Sequence, residues 1–277
     1  MVKPAAKRKV VDYLKAIHEF SERKSCGLAS ISRRSYRYRS VKNDDDLIEQ
    51  LNALAEKHPG YGFWKLYHKL RALGYQWNHK RVYRVYCGLK LNIRRRVRKR
   101  LPKRIRQPLS LPEQADQVWS MDFMHDSLWD GRRFRILNIM DDYNREVLCM
   151  EIDTSIPSQR VVRVMDRLKE QGRIPRLIRV DNGPEFLSKT FQLWCQENQV
   201  KIHYIQPGKP TQNGYIERLN GSCRKELLDM YVFKNLEEVE KLAHQWLIEY
   251  NYSRPHEALN NLPPIEFKNK NLQQTKR

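Results

Sequence analysis

The chain has little of what holds secreted or membrane-embedded proteins together. Five cysteines, Cys26, Cys87, Cys149, Cys195 and Cys223, are scattered through 277 residues with no Cys-x-x-Cys pair. That spacing argues against a disulfide framework or a zinc knuckle and for a reducing compartment. No run approaches the roughly 18 consecutive apolar residues of a membrane-spanning helix, so no membrane partner is expected. Met1 to Lys9 is basic, but the residues after it, Val10-Val11-Asp12-Tyr13-Leu14-Lys15, are amphipathic and do not form the apolar stretch of a signal peptide. A soluble, cytoplasmic protein is expected. No sustained heptad repeat is present, so a coiled-coil partner face is not readable from this chain.

Negative charge is also scarce. The sequence holds 32 Asp+Glu against 53 Lys+Arg, a formal charge of +21. So much positive charge opposes compaction unless an anionic partner offsets it, which argues against an ordinary enzyme of small neutral metabolites. The excess is confined to one part of the chain: residues 1–115 carry 29 basic and 9 acidic side chains, residues 116–277 carry 24 and 23. A basic front joined to a near-neutral globular part is the charge pattern of a nucleic-acid-binding region attached to a separate domain. Tyr, Trp, Leu and Val are interleaved through the basic part, so it can build small cores.

The basic half reads as helices. Val10, Val11, Leu14 and Ile17 recur at helical spacing between Lys9 and Phe20. Ser21 is a cap for a short helix over about Glu22 to Ala29, and Ser30-Ile31-Ser32 offers a turn and a new cap before Arg33, Arg34, Tyr36, Arg37, Tyr38 and Arg39. The pattern then repeats. Asp44-Asp45-Asp46 opens a helix whose apolar face is Leu47, Leu51, Leu54 and Ala55, with acids placed to complement the helix dipole. His58-Pro59-Gly60 stops it, a helix runs from about Gly62 to Leu73, and Asn78 caps another that carries Lys80, Arg81 and Arg84 outward with Val82, Tyr83, Val85 and Tyr86 packed. Such helix-turn-helix arrangements lay one helix in a major groove. The run Arg94, Arg95, Arg96, Arg98, Lys99, Arg100, Lys103, Arg104, Arg106 is too highly charged to fold alone, and Pro102, Pro108 and Pro112 keep it extended. It is a linker that can still bind phosphates in a salt-dependent, sequence-blind way.

Past Pro112 the periodicity changes. Gln117–Phe123, Phe134–Met140 and Glu146–Ile152 read as three antiparallel strands, separated by Asp130-Gly131 and Asp141-Asp142-Tyr143-Asn144. A helix from about Ser158 to Gln171, a strand Leu177–Val180, a helix Glu185–Asn198, a strand Lys201–Ile205 and a helix starting near Gln212 follow. Three meander strands and then alternating helix and strand give an α/β layout with a mixed five-stranded sheet, the order of a ribonuclease H-like core. Domains are expected at 1–43, 44–93, 94–112 (linker) and 113–277. Asp122 lies in the first strand, Asp181 directly after the fourth, and Glu217 early in a later helix, so the three carboxylates can meet at one edge. Asp126 lies in or near the first strand, Asp141 and Asp142 read as turn residues, Glu185 as a helix N-terminal acid, and His125 as a packed or surface residue.

Thirty-five residues separate Asp181 from Glu217. That spacing, with Asp181-Asn182-Gly183-Pro184-Glu185-Phe186, Pro207-Gly208-Lys209-Pro210-Thr211-Gln212-Asn213-Gly214 and Tyr250-Asn251-Tyr252-Ser253-Arg254-Pro255-His256, resembles the second-frame product of IS3-family insertion-sequence transposases, within the DD35E transposase and retroviral integrase superfamily. The resemblance covers essentially the whole chain. It implies catalysis and metal binding by Asp122, Asp181 and Glu217, with two Mg²⁺ ions (Mn²⁺ as substitute) roughly 3.5–4 Å apart supplying the chemistry of phosphodiester cleavage. By the same resemblance Asp122 would bridge both ions, with Asp181 and Glu217 each completing one; hard cations of this size prefer carboxylate, water and phosphate oxygens.

The resemblance further implies a bacterial protein at the nucleoid that binds the element's terminal inverted repeats and target DNA, nicks 3′ ends and transfers strands. It would act as a homo-oligomer on DNA, with a first-frame partner or a frameshift fusion supplying a zipper. DNA contacts are expected from Arg33, Arg34, Arg37, Arg39, Lys80, Arg81, Arg84, the linker cations, Lys209, Arg224 and Lys225. Ile216, Leu219, Cys223 and Leu227 form the buried stripe of the last of these helices, with Glu217 and Arg224 projecting together beside it. Family members often carry Lys where Arg224 stands, which leaves Arg224 and Lys225 as alternatives. Trp246, Tyr250 and Tyr252 are read as core. A DNA-binding accessory protein and a nuclease without joining activity remain as alternative functions.

Overall fold

The computed structural model describes residues 4–39, 43–93, 112–206 and 213–275. The linker cations Arg94, Arg95, Arg96, Arg98, Lys99 and Arg100, together with Lys209, lie outside them. The chain divides into two compact units, Met1–Asp46 and Leu47–Arg277.

The first unit holds α1 (Pro4–His18), α2 (Glu22–Leu28) and α3 (Arg33–Arg37). Both expected caps form: the Ser21 side chain accepts from the Lys24 amide and Ser32 from the Ser35 amide. Among its described residues Val11, Ser25 and Cys26 are buried. Helix α3 is only five residues long and ends at Tyr38, so Arg39 lies beyond it.

The second unit begins with the repeat of that pattern: α4 (Asp45–Lys57), α5 (Phe63–Ala72) and α6 (His79–Gly88). Leu47, Leu51, Tyr61, Leu66, Leu70, Val82, Val85 and Tyr86 form its core. Asn78 caps α6 by accepting from the Lys80 amide at 2.8 Å. Gly74, at φ +94°, makes the turn after α5 that a side chain would resist. Tyr83, read as packed, is about half exposed, because the buried stripe of the helix at its roughly 3.6-residue period takes Val82, Val85 and Tyr86 and leaves Tyr83 beside it.

The strands are β1 (Val118–Ser127), β2 (Arg133–Asp141), β3 (Val147–Asp153), β4 (Leu177–Val180) and β5 (Lys201–Tyr204). They form a sheet of order β3-β2-β1-β4-β5, antiparallel on the meander side and parallel from β1 through β4 to β5. Side chains alternate between faces. Trp119, Met121, Leu137, Ile139, Ile178 and Val180 face a layer made by α7 (Ser158–Glu170), α8 (Pro184–Leu187) and α9 (Lys189–Glu197). Met124, Phe134, Ile136, Met140, Val147 and Ile152 face α10 (Gly214–Glu226) and α11 (Leu236–Tyr252), and α12 (Pro264–Thr275) packs on α11. The expected single helix over Glu185–Asn198 is two: Ser188 is extended, its hydroxyl donates back to the Glu185 carbonyl and accepts the Phe191 amide, ending α8 and capping α9.

Candidate active site

Strand parity and register bring the acidic residues together. Trp119 and Met121 point into the α7–α9 layer, so Ser120, Asp122 and Met124 point toward α10. In the parallel β1–β4 pairing Ser120 lies opposite Arg179. Continuing that register by two residues sets Asp122 level with Asp181, on the same face. Helix α10 crosses there. Asn220 on α10 donates from Nδ2 to Asp122 Oδ2 at 2.8 Å, and Asn138 on β2 donates to Asn220 Oδ1 at 2.8 Å. Glu217, three residues before Asn220, shares its helix face.

Electrostatics reports the same proximity. Burial, then the charges of Asp181 and Glu217, push the Asp122 carboxyl up to about 6, against the opposing amide hydrogen bonds from Phe123 and Asn220. Glu217 is exposed at the rim, and residual burial raises its carboxyl. Asp181 Oδ1 accepts the Gly183 amide at 3.0 Å. A Cβ at Gly183 would stand 3.0 Å from that same oxygen and 3.3 Å from Glu185 Oε2, so the glycine of Asp181-Asn182-Gly183 permits the close approach. None of the three carboxylates has a cationic partner among the described residues.

The neighbouring acids are placed differently. Asp141 and Asp142 do lie at the β2–β3 turn, yet both are fully buried. Asp142 accepts from Ser120 Oγ at 2.7 Å and pairs with Arg179 at 2.5 Å. Asp141 lies beside Arg173, which bridges it to Asp116 and Glu146. Glu185, read as a helix-dipole acid, pairs with Arg135 on β2 at 2.5 Å, and that guanidinium also stacks over Phe123. Asp126 holds Arg224 at 2.5 Å, with a second Arg224 hydrogen bond to the His125 carbonyl. His125 itself is exposed.

The expected α10 stripe is as read: Ile216, Leu219, Cys223 and Leu227 are all buried. Of the two cations near its end, Arg224 is occupied by Asp126 and Lys225 is exposed. In the helical region Arg33, Arg34, Arg37, Arg39, Lys80 and Arg84 are exposed and Arg81 is half-buried. Arg37 is ion-paired with Glu22. Trp246 and Tyr250 are core, as expected, whereas Tyr252 is exposed because it lies at the last turn of α11 on its outer side.

Sequence reasoning missed Asn220, which joins Asp122 to α10; its one signal is the three-residue spacing from Glu217. It also missed the cluster in which Glu226 accepts from both Lys65 and Arg254, with Arg254 reaching Ser222. That cluster gives the Tyr250–His256 segment a structural role, since it fastens α10 to α5 and to the end of α11. Among the described residues no three His, Cys, Asp or Glu side chains lie close enough to enclose a metal ion by themselves.

Residues 112–210 and 198–264 each match a family described as an integrase core domain, and residues 42–100 match an HTH-like domain. An uncharacterized 39.2 kDa protein of insertion element IS476 from Xanthomonas euvesicatoria is 35% identical over 95% of this chain and 77% of its own length. An uncharacterized 31.7 kDa protein of insertion element IS407 from Burkholderia multivorans is 37% identical over 89% of this chain and 90% of its own. A solved structure of a simian T-cell lymphotropic virus intasome in complex with PP2A regulatory subunit B56 gamma shares the fold, with TM-score 0.51 and 19% identity over 79% of this chain and 74% of that one. The chain belongs to the insertion-element transposases of the IS3 family, with a ribonuclease H-like integrase core behind an HTH-like domain.

Proposed function

We propose that the chain binds the terminal inverted repeats of its element, nicks a 3′ end and joins it to another phosphodiester, with Asp122, Asp181 and Glu217 as the catalytic residues. The observation that carries this reading is the unpaired acidic trio where β4 ends beside β1, beneath α10: Asp122 feels both other carboxylates, and no described cation relieves them. The set fits divalent Mg²⁺, or Mn²⁺ in its place, because its donors are hard oxygens only. Among the described residues no three such side chains enclose an ion by themselves, so water and substrate phosphate oxygens would have to complete its ligand shell. When bound, two such ions would activate the attacking oxygen and stabilise the leaving one.

The chain's own residues would set the geometry. The Phe123 amide and Asn220 hold the two oxygens of Asp122, and the Gly183 amide orients Asp181. Glu217, on the rim, faces the side from which DNA would approach. Residues 1–43 and 44–93 would grip the duplex through their exposed cations, Lys225 would meet its backbone beside α10, and 94–112 would connect them to the core at 113–277. Pairing two ends requires at least two chains, and a first-frame protein or frameshift fusion would assist assembly.

The test is an assay of the full chain on labelled duplexes carrying an element end, with Mg²⁺. Wild type is expected to nick and join, and Asp181→Asn to do neither. Joining retained by Asp181→Asn would overturn the assignment, cleavage without joining would mark a nuclease, and binding without cleavage by wild type would mark an accessory protein.

A further inference from the structure

On the side of α10 turned away from Asp122 lies a cavity of about 310 Å³. It is lined by Lys65 of α5, Arg145 of the β2–β3 turn, Arg218 and Ser222 of α10, Arg254 after α11, and Glu257, the one acid on its wall. Two of its four cations are spoken for, since Lys65 and Arg254 share the Glu226 carboxylate behind the wall. Arg145 and Arg218 are not: neither makes an ion pair with a described residue.

Arg145 is the less ordinary of the two. Its backbone is in the left-handed region, φ 62°, where arginine gains nothing over glycine or asparagine. Its guanidinium lies 3.5 Å from the Tyr215 ring centroid, and its Nη1 is buried without a hydrogen-bond partner. A buried guanidinium nitrogen left unpaired is costly and rare, and it calls for an acceptor. Arg218, one residue past Glu217, is exposed at the mouth of the same cavity. Crowding by like charge is also visible on Lys65, whose amine is pushed down by burial and then by Arg254. The Ser222 hydroxyl accepts from Arg254 Nη2 at 3.1 Å and so can turn its own proton outward.

We propose that this cavity is a seat for one phosphate group of the DNA backbone, held by Arg145 and Arg218 with Ser222 as a hydroxyl donor. Guanidinium groups match phosphate oxygens bidentately, and the local surplus of two positive charges suits a phosphodiester better than an uncharged ligand. The seat lies across α10 from the catalytic trio, so a strand held here would be fixed against the helix that carries Glu217. Only the choice of DNA as the phosphate's source rests on the function proposed above.

Two measurements on the full chain test it. Fluorescence anisotropy with a labelled duplex across a salt series should show wild type binding more steeply in log–log form than Arg218→Ala or Arg145→Gln, by about 0.9 in slope for each lost contact. Thermal unfolding in inorganic phosphate, matched in ionic strength by chloride, should show a phosphate-specific rise in Tm for wild type that Arg218→Ala loses. A phosphate-specific rise with an unchanged DNA slope would overturn DNA as the source, in favour of a small phosphate-bearing ligand. Neither effect in Arg218→Ala, an exposed position whose replacement leaves the core intact, would overturn the seat itself. Because both readouts need no catalysis, a chain inactive in strand transfer would still decide this question, and failure here would leave the catalytic trio untouched.

Discussion

Replacing Asp122 by Asn removes one charge from the acidic trio while keeping the side chain's shape, and it should make the metal-free protein more stable as it makes it inactive. Asp122 titrates near 6 against an ordinary carboxyl value of 3.8, driven first by burial. A displacement of that size corresponds to about 3 kcal/mol of preference for the neutral form. The sign follows from linkage: a carboxyl raised in the fold contributes its full stability below its unfolded value and loses it as pH climbs through the folded one. At pH 8 wild type bears the whole cost of the ionised group and the Asn variant none. At pH 4.5 the gap should shrink to about a third.

The hydrogen bonds can follow the change. In Asp122→Asn the side-chain carbonyl can still accept the Phe123 amide, and the new amide group can donate to Asn220 if Asn220 and Asn138 both reverse. Reversal turns Asn138 Oδ1 toward Asn220 and sets its Nδ2 in the buried position where Oδ1 now has no partner, so one unpaired group is exchanged for another and the chain of bonds is kept at little net cost. For a unit of this size 2–3 kcal/mol is worth roughly 5–10 °C in Tm. Thermal unfolding in EDTA between pH 4.5 and 8 reads the effect, and added Mg²⁺ should raise the Tm of wild type and leave the variant unmoved. An Asn variant no more stable than wild type at pH 8 in EDTA would refute the reasoning, because Asp122 would then not be a desolvated, repelled carboxylate.

Arg173→Met should destabilise the core by about 3–5 kcal/mol at pH 7.5, since it strands Asp116, Asp141 and Glu146 without their shared partner. Part of that loss should return at pH 5, because burial already pushes Asp141 up to about 6 and protonation removes its charge; equal losses by calorimetry at both pH values would contradict this. Asn220→Ala should cut metal-dependent DNA cleavage roughly 10–100-fold, the worth of one hydrogen bond to a charged group. It should also shift the acidic limb of the pH–rate profile upward as Asp122 loses a donor; a slower enzyme with an unmoved profile would reduce Asn220 to a packing role.

Local sequence rules located most of the elements because their signals are short-range. Ser21, Ser32 and Asn78 cap the helices they precede, and β4 spans the four residues its β-branched run suggested. The break at Ser188 escaped notice because a serine inside an apolar period reads as helix until its hydroxyl is seen bonding both neighbouring turns. Arg224 reads as a DNA contact and Glu185 as a helix N-terminal acid, since nothing in the sequence says that Asp126 and Arg135 stand opposite them.

By itself the sequence determined the order of the elements and the split between a basic helical front and a near-neutral α/β core, and its resemblance to a family singled out the three acids proposed as catalytic. Only the tertiary structure decided what each acid experiences. Strand parity turns Asp122 toward α10, the β1–β4 register sets Asp181 beside it, and packing of Ile216, Leu219 and Cys223 on the sheet leaves Glu217 at the rim. The same packing buries Asp141 and Asp142 against arginines and leaves the trio without one among the described residues. Spacing along a chain fixes which residues can be neighbours; the charges and donors that surround each of them depend on contacts between residues far apart in sequence, 98 positions for Asp122 and Asn220, and those exist only once the sheet and its helices have closed on each other.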